Sequence, residues 1–301
     1  IPGNFRWYLG VAYLLLVFGV FFDRYILMLH NTSHRPLFKP QYAWLNQVIP
    51  RVLGPMVGQT PDTYAVHHIG MHHPENNLPE DLSSTMRHQR DSFLSFLVYY
   101  TRFITVGLYQ TTSYLFRKKR KKLGKNMLLG EFVHFAVAGL LALYNWEAAL
   151  AVFIIPVFVV RFLMMAGNWG QHAFVDADEP ENPYKNSTTC INTFYNHRAF
   201  NDGYHIGHHE DQRRHWTDMP VKFKENKQRY IDNDAIVEPL VDAGLRASNL
   251  TALIMAPLIS VAWADGMLDN EERKLIAASS IAVGVDSSSE GAELVDVWLS
   301  H

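Results

Sequence analysis

The sequence predicts an all-α protein. We expect an integral membrane helical bundle with a histidine-rich helical cap on its cytosolic face, and a small soluble helical module at the C-terminus. Three observations carry this prediction. Long apolar runs alternate with polar stops over most of the chain. Nine of the fifteen histidines fall into four short clusters at helical spacings. From Glu238 the character of the sequence changes, so we place a membrane domain over 1–237 and the helical module over 238–301.

The chain has 301 residues, room for one large domain and a small one beside it. It starts at Ile1 rather than Met, and an upstream span is expected to be missing. Trp7 to Phe22 (WYLGVAYLLLVFGVFF) is about one minimal span, stopped by Asp23-Arg24. No small-residue cleavage site follows, which argues against a signal peptide.

Phe93 to Phe116 is long and aromatic but carries Arg102, Gln110, Thr111, Thr112 and Ser113, and the basic run Arg117 to Lys122 follows it. Two placements are open. As a span, the segment would put the basic run opposite the first two histidine clusters, and the positive-inside rule would put those clusters outside the cytoplasm. Lying flat in the interface, it keeps the basic run on the histidine side, where it can meet anionic lipid. The flat placement also leaves all four clusters together, as a shared metal site requires, and is the one we expect.

Met127 to Tyr144 and Ala148 to Met165, broken by Asn145-Trp146-Glu147, read as a hairpin of two spanning helices. That makes three spans, with the clusters on the cytosolic side. His134, inside the first of the pair, reads as a buried structural histidine. In the C-terminal module, Leu250 to Ala264 is apolar but short for a span. Asp265-Gly266 makes a turn, and Asp269 can cap a helix that starts Asn270-Glu271-Glu272. Asp265, Asp269 and Glu272 do not follow the spacing of a calcium-binding loop.

The four clusters are His30-Asn-Thr-Ser-His34, His68-Ile-Gly-Met-His72-His73, Asn168-Trp-Gly-Gln-His172 and His205-Ile-Gly-His208-His209. Residues three and four apart share a helix face, so each cluster aims two or three side chains at one spot. Neutral imidazole suits Fe, Cu, Zn or Ni. An ion takes about four to six ligands, so nine imidazoles suit two ions rather than one. The pattern points to a redox metalloenzyme.

Other classes fit poorly. The net charge of −2 argues against nucleic-acid binding. A membrane zinc protease needs HExxH, and no Glu follows any leading histidine. A metal transporter would carry its ligands near the midplane of its spans, whereas these clusters sit at span ends and in loops. With one cysteine, Cys190, there is no internal disulfide and no iron–sulfur site; Cys190 reads as a small buried residue. No GxGxxG fingerprint and no haem-attachment motif occur, so electrons must come from a separate protein. A non-enzymatic metal-binding membrane protein remains a further class.

Taken in order, HxxxH, HxxxHH, NxxxH and HxxHH between and after apolar runs resemble the membrane di-iron superfamily of fatty acid desaturases, alkane hydroxylases and related lipid oxygenases. The resemblance covers about residues 7 to 235. Asn201-Asp-Gly-Tyr-His205-Ile-Gly-His208-His209, with His215-Trp-Thr-Asp-Met-Pro220 after it, is the most desaturase-like part. His68-Ile-Gly-Met-His72-His73 is one residue longer than the usual desaturase box and closer to alkane hydroxylases, and Pro79-Glu-Asp-Leu-Ser-Ser84 adds to that likeness. The resemblance implies two irons held on the cytosolic face by His30, His34, His68, His72, His73, His172, His205, His208 and His209, with Asn168 contacting one iron through water.

It further implies O2 as co-substrate and a lipid or fatty acyl substrate whose unactivated methylene is oxidised. It implies an external electron donor of ferredoxin, cytochrome b5 or rubredoxin type, and no catalytic residue beyond the ligands. Desaturation is the expected reaction and hydroxylation the alternative. His67 is expected beside the ligands or exposed, and His88, His197 and His215 are expected to be structural. Asp176, Asp178, Glu181 and Asp202 are candidates to orient imidazoles. Around Ala262-Trp-Ala-Asp265-Gly266-Met-Leu-Asp269 the C-terminal module faintly resembles TerB-like helical domains.

Overall fold

In this computed structural model the described residues are 6–173, 175–237, 270–282 and Val295. They are mostly helical. Among them, the strands are two short segments, Thr189–Cys190 and Ile236–Val237, paired in parallel. The chain divides into two compact units, 1–237 and 238–301.

Three helices are long and apolar enough to cross a membrane: Trp7–His34, Lys121–Tyr144 and Trp146–His172. The first has 28 residues, about 42 Å at 1.5 Å per residue, against about 30 Å of hydrocarbon. The surplus carries His30 and His34 beyond the apolar stretch. The apolar run stops at Asp23-Arg24, while the helix itself continues to His34. Asp23 Oδ2 meets Arg198 Nε at 2.8 Å, so the charge that ends the apolar run is paired.

The other two apolar helices form the expected hairpin and extend beyond the runs that identified them. Asn145 breaks them apart, and its side chain accepts the Ala148 N–H at 2.9 Å to start the third helix. His134 Nε2 donates to the Phe153 carbonyl at 3.0 Å, which ties the hairpin together in a structural role. Gly130 lies against the 58–62 loop so closely that a Cβ there would collide with the Pro61 carbonyl. The third apolar helix continues to His172, which places Asn168 and His172 on its last turns.

Phe93–Arg117 is a 25-residue helix whose polar residues dilute its apolar character. Its two ends both bond to the 75–83 segment. Tyr99 donates to the Ser83 carbonyl at 3.1 Å. Tyr114 donates to Glu75, and Lys118 Nζ reaches Glu75 at 3.1 Å and Glu80 at 2.6 Å. Tyr99 and Tyr114 are about 22 Å apart along the helix, so this helix runs alongside the segment rather than away from it.

Short helices at His205–Glu210, Met219–Glu225 and Lys227–Asp232 follow. Buried Tyr184, Ile191, Ile206, Phe223 and Tyr230 form their core. The Phe223 and Tyr184 rings each meet Tyr230 edge to face, with centroids 4.9 and 5.0 Å away. In the second unit, the helix Asn270–Ala282 is present where the sequence placed one. Leu250 to Ala264, the Asp265-Gly266 turn, the Asp269 cap and the TerB-like stretch lie outside the described residues.

Candidate metal centre

The nine clustered histidines come together as two groups. His30, His34, His68, His73 and His208 form one; His72, His172, His205 and His209 form the other. Within each group the nitrogens available as ligands lie within 4.8 Å of one another. In the first group, His30 Nε2 faces His208 Nε2 at 2.9 Å and His34 Nε2 faces His68 Nε2 at 3.0 Å. His73 Nε2 stands 2.9 Å from both His68 Nε2 and His208 Nε2. In the second, His205 Nε2 lies 3.2 Å from His172 Nε2 and 3.0 Å from His209 Nε2. Two ligands about 2.1 Å from an ion and at right angles to each other are about 3.0 Å apart, so these nitrogen spacings are compatible with metal binding.

Two local backbone features aim the rings. The helix over Thr63–Glu75 contains a π-turn at His68–His72. A π-turn advances less per residue than an α-turn, so the fifth residue on returns to the starting face. His73 therefore joins His68, while His72 turns to the second group. The extra residue that separates this box from HxxHH is absorbed there. Arg120 holds the turn open by donating from Nη1 to the Gly70 carbonyl at 2.5 Å. On His205–Glu210, His205 and His209 share a face by ordinary i, i+4 spacing, and His208 points to the first group.

Hydrogen bonds behind the rings set their tautomers. His30 Nδ1 donates to Asp202 Oδ1 at 2.9 Å, His72 Nδ1 to Asp81 Oδ2 at 2.8 Å, and His172 Nδ1 to the Asn186 carbonyl at 2.8 Å. With the proton on Nδ1, the Nε2 lone pair faces the group. Burial first, and then the neighbouring imidazoles, hold His68, His205, His208 and His209 well below the usual imidazole range. They stay neutral at pH 7, the form that binds metal. Burial alone would raise Asp81, but the His72 ring and hydrogen bonds from His72 and Ser83 hold it below the usual carboxylate range. A donor set of imidazoles, two of them backed by carboxylates, fits a pair of transition-metal ions.

A cavity of about 510 Å³ adjoins the histidines. His30, His68, His72 and His205 line it along with apolar side chains such as Ile26 and Ile104.

The family model described as Fatty acid desaturase matches residues 5–237. The chain belongs to that family. Among curated proteins and among solved structures, nothing matches it. As a member of the desaturase family it is an oxidoreductase acting on lipid, iron is the family's metal, and its three apolar helices fit a membrane protein.

The remaining sequence candidates separate cleanly. Asn168 lines the cavity one turn before His172, and its amide nitrogen donates to the Ser83 carbonyl at 3.0 Å and to Tyr99 Oη at 2.8 Å. Of the four acidic candidates, only Asp202 touches a clustered histidine. Asp176 pairs with Lys185 at 3.2 Å, while Asp178 and Glu181 are exposed. His67 lies outside both groups, edge-on to Phe103 at 5.8 Å, and burial lowers it to about 4. His88 packs on Tyr99 and Trp169, His197 is exposed, and His215 caps the turn at Trp216–Asp218. Cys190 is half-buried at the cavity wall.

Sequence reasoning gave no role to Asp81, Asn186 or Tyr64. Tyr64 stacks on His68 with centroids 5.2 Å apart. The sequence signal for Asp81 is its place in Pro79–Ser84, a likeness that does not reveal the contact with His72.

Proposed function

We propose that the chain is an O2-dependent di-iron oxidase of unactivated C–H bonds in a lipid acyl chain, and that it desaturates. The observation that carries this is the division of nine imidazoles into two adjoining groups at the head of a largely apolar cavity. The proposed ligands are those nine histidines, with Asn168 reaching one iron through water. The irons supply activation of O2 and removal of hydrogen from a methylene. In desaturation the lipid gives up two hydrogens, the donor supplies two electrons, and with two protons O2 becomes two waters.

The protein residues do the rest. Asp202, Asp81 and the Asn186 carbonyl hold protons at Nδ1 of three rings. Apolar walls keep water from the reacting carbon. Electrons come from a separate carrier of ferredoxin, cytochrome b5 or rubredoxin type. Hydroxylation is the second reading, favoured by the HxxxHH spacing and its π-turn; there one oxygen atom enters the lipid and one leaves as water.

The metal centre is proposed on the cytosolic side, with Phe93–Arg117 flat beneath it and the basic run beside it. The contacts of both its ends with the 75–83 segment support that placement. Accessibility labelling of cysteines introduced at Lys121 and Asn145 tests it: the two should label from opposite sides, and labelling from one side defeats it.

The test of function is expression in a host that supplies a reductase, with lipid mass spectrometry and metal analysis of the purified protein. Two irons per chain and a lipid lighter by two hydrogens are expected. A lipid heavier by one oxygen would select hydroxylation. One zinc and no iron would sink both.

A further inference from the structure

The cavity also meets charge deep among the apolar helices. Glu131 on the second apolar helix and Arg161 on the third form an ion pair through Oε1 and Nη2. Thr60 Oγ1 donates to the same Glu131 oxygen at 2.7 Å. The Thr63 hydroxyl meets Thr60 Oγ1 at 2.6 Å and accepts from Gln59 Nε2 at 2.8 Å. Gln59, Thr63, Glu131 and Arg161 all line the cavity. Arg161 is eleven residues before His172 on one helix, about 16 Å along its axis.

An ionised pair at that depth is costly and faces the bundle interior or a partner. A pair that served only to pin the helices would have its donors closed by protein. This one does not. Every protein hydrogen bond of Arg161 leaves from Nη2, and its side chain is 22% exposed. The Nε and Nη1 hydrogens have no partner among the described residues, and the side chain borders the cavity.

We propose that this pair recognises an uncharged oxygen of the lipid substrate, a hydroxyl or carbonyl, while the chain runs from it to the histidines. The proposal rests on the C–H oxidation reading above. Charge balance selects the class. Glu131 already neutralises Arg161, so a carboxylate arriving there would bring a second anion into a medium of low dielectric beside Glu131. A plain alkyl end would leave the guanidinium donors unpaired. A neutral acceptor satisfies the donors and adds no charge.

The test is competition by native mass spectrometry on the purified full chain in detergent, with 1-hexadecanol, hexadecanoate and hexadecane at equal concentration. Hexadecanol should be preferred over each rival by roughly tenfold or more. Equal binding of all three, or preference for hexadecanoate, overturns the proposal.

Glu131→Gln keeps the shape and an oxygen acceptor but leaves the guanidinium unbalanced. It should reverse the order, so that hexadecanoate displaces hexadecanol. A folded Glu131→Gln protein with the order unchanged would mean a purely structural pair and would also overturn it. If that variant fails to fold, the native competition still decides. Binding requires no turnover, so a failure here leaves the C–H oxidation reading standing. Absence of iron would sink that reading while leaving the preference measurable.

Discussion

The two histidine groups are built from the same helices and held by different ones. The helices Thr63–Glu75 and His205–Glu210 contribute to both groups. The first apolar helix contributes only to the group of five, through His30 and His34, and Asp202 backs it there. The third apolar helix contributes only to the group of four, through His172, with Asp81 and the Asn186 carbonyl behind that group. The shared helices link the two groups, and each of these apolar helices anchors one of them. In the proposed centre the group with fewer imidazoles would take a further ligand more readily, and Asn168 stands one turn from its His172.

Removing a shared-helix ligand from each group should break the comparison most visibly. His208→Ala in the first group and His205→Ala in the second should each lower lipid oxidation by about a hundredfold or more, because even residues behind the ligands change activity about 10- to 100-fold. Each variant should keep the other group's ion, so iron analysis should fall from two per chain to one. Loss of both ions from either variant would mean that the groups load as one unit. Full activity in His208→Ala would show that the ligand assignment is wrong.

The supporting carboxylates should separate the groups more gently. Asp202→Asn should weaken iron retention in the group of five, and Asp81→Asn in the group of four, each by about 10- to 100-fold against a chelator. Asp81→Asn should also lower folding stability by about 1–3 kcal/mol. Asp81 accepts from the Asn77 and Ser83 backbone N–H groups and from the Ser83 hydroxyl, and an amide nitrogen there would face donors. Thermal unfolding of the two variants side by side checks this, and a larger loss for Asp202→Asn would contradict it.

Much of this architecture can be read from the residues alone. The spacings of the four boxes identify the side chains that converge, because i, i+3 and i, i+4 positions share a helix face. The apolar runs identify three membrane-length helices. Their ends are harder to read: the apolar run stops at Asp23, yet the helix continues to His34, and Asp23 pairs with Arg198, some 175 positions later in the chain. The assignment of each histidine to a group was hidden as well. A 3.6-residue period does not reveal the π-turn that sends His72 and His73 to different groups. Asp202 could be suspected but not separated from Asp176, Asp178 and Glu181, since loop paths decide which acid meets a ring. Glu131 and Arg161 are single charges in separate apolar runs of the sequence, and only the packing of the hairpin makes them a pair.

The smallest expected effect sharpens the comparison at its hinge. Arg120 belongs to a basic run that reads as a membrane or solvent feature, yet its guanidinium bonds to the Gly70 carbonyl inside the π-turn. A hydrogen bond from a charged donor contributes about 1.5–3 kcal/mol, enough to bias the turn against relaxing to an α-turn. Relaxation would rotate His73 away from His68 and His72 away from His172, so both groups should suffer together. Arg120→Gln should therefore lower iron retention in the two groups by similar factors, within about tenfold, with oxidation falling in step. Arg120→Lys keeps a charged donor and should recover part of the loss. Two well-separated iron-release phases in Arg120→Gln, one native and one fast, would show that the turn serves only one group.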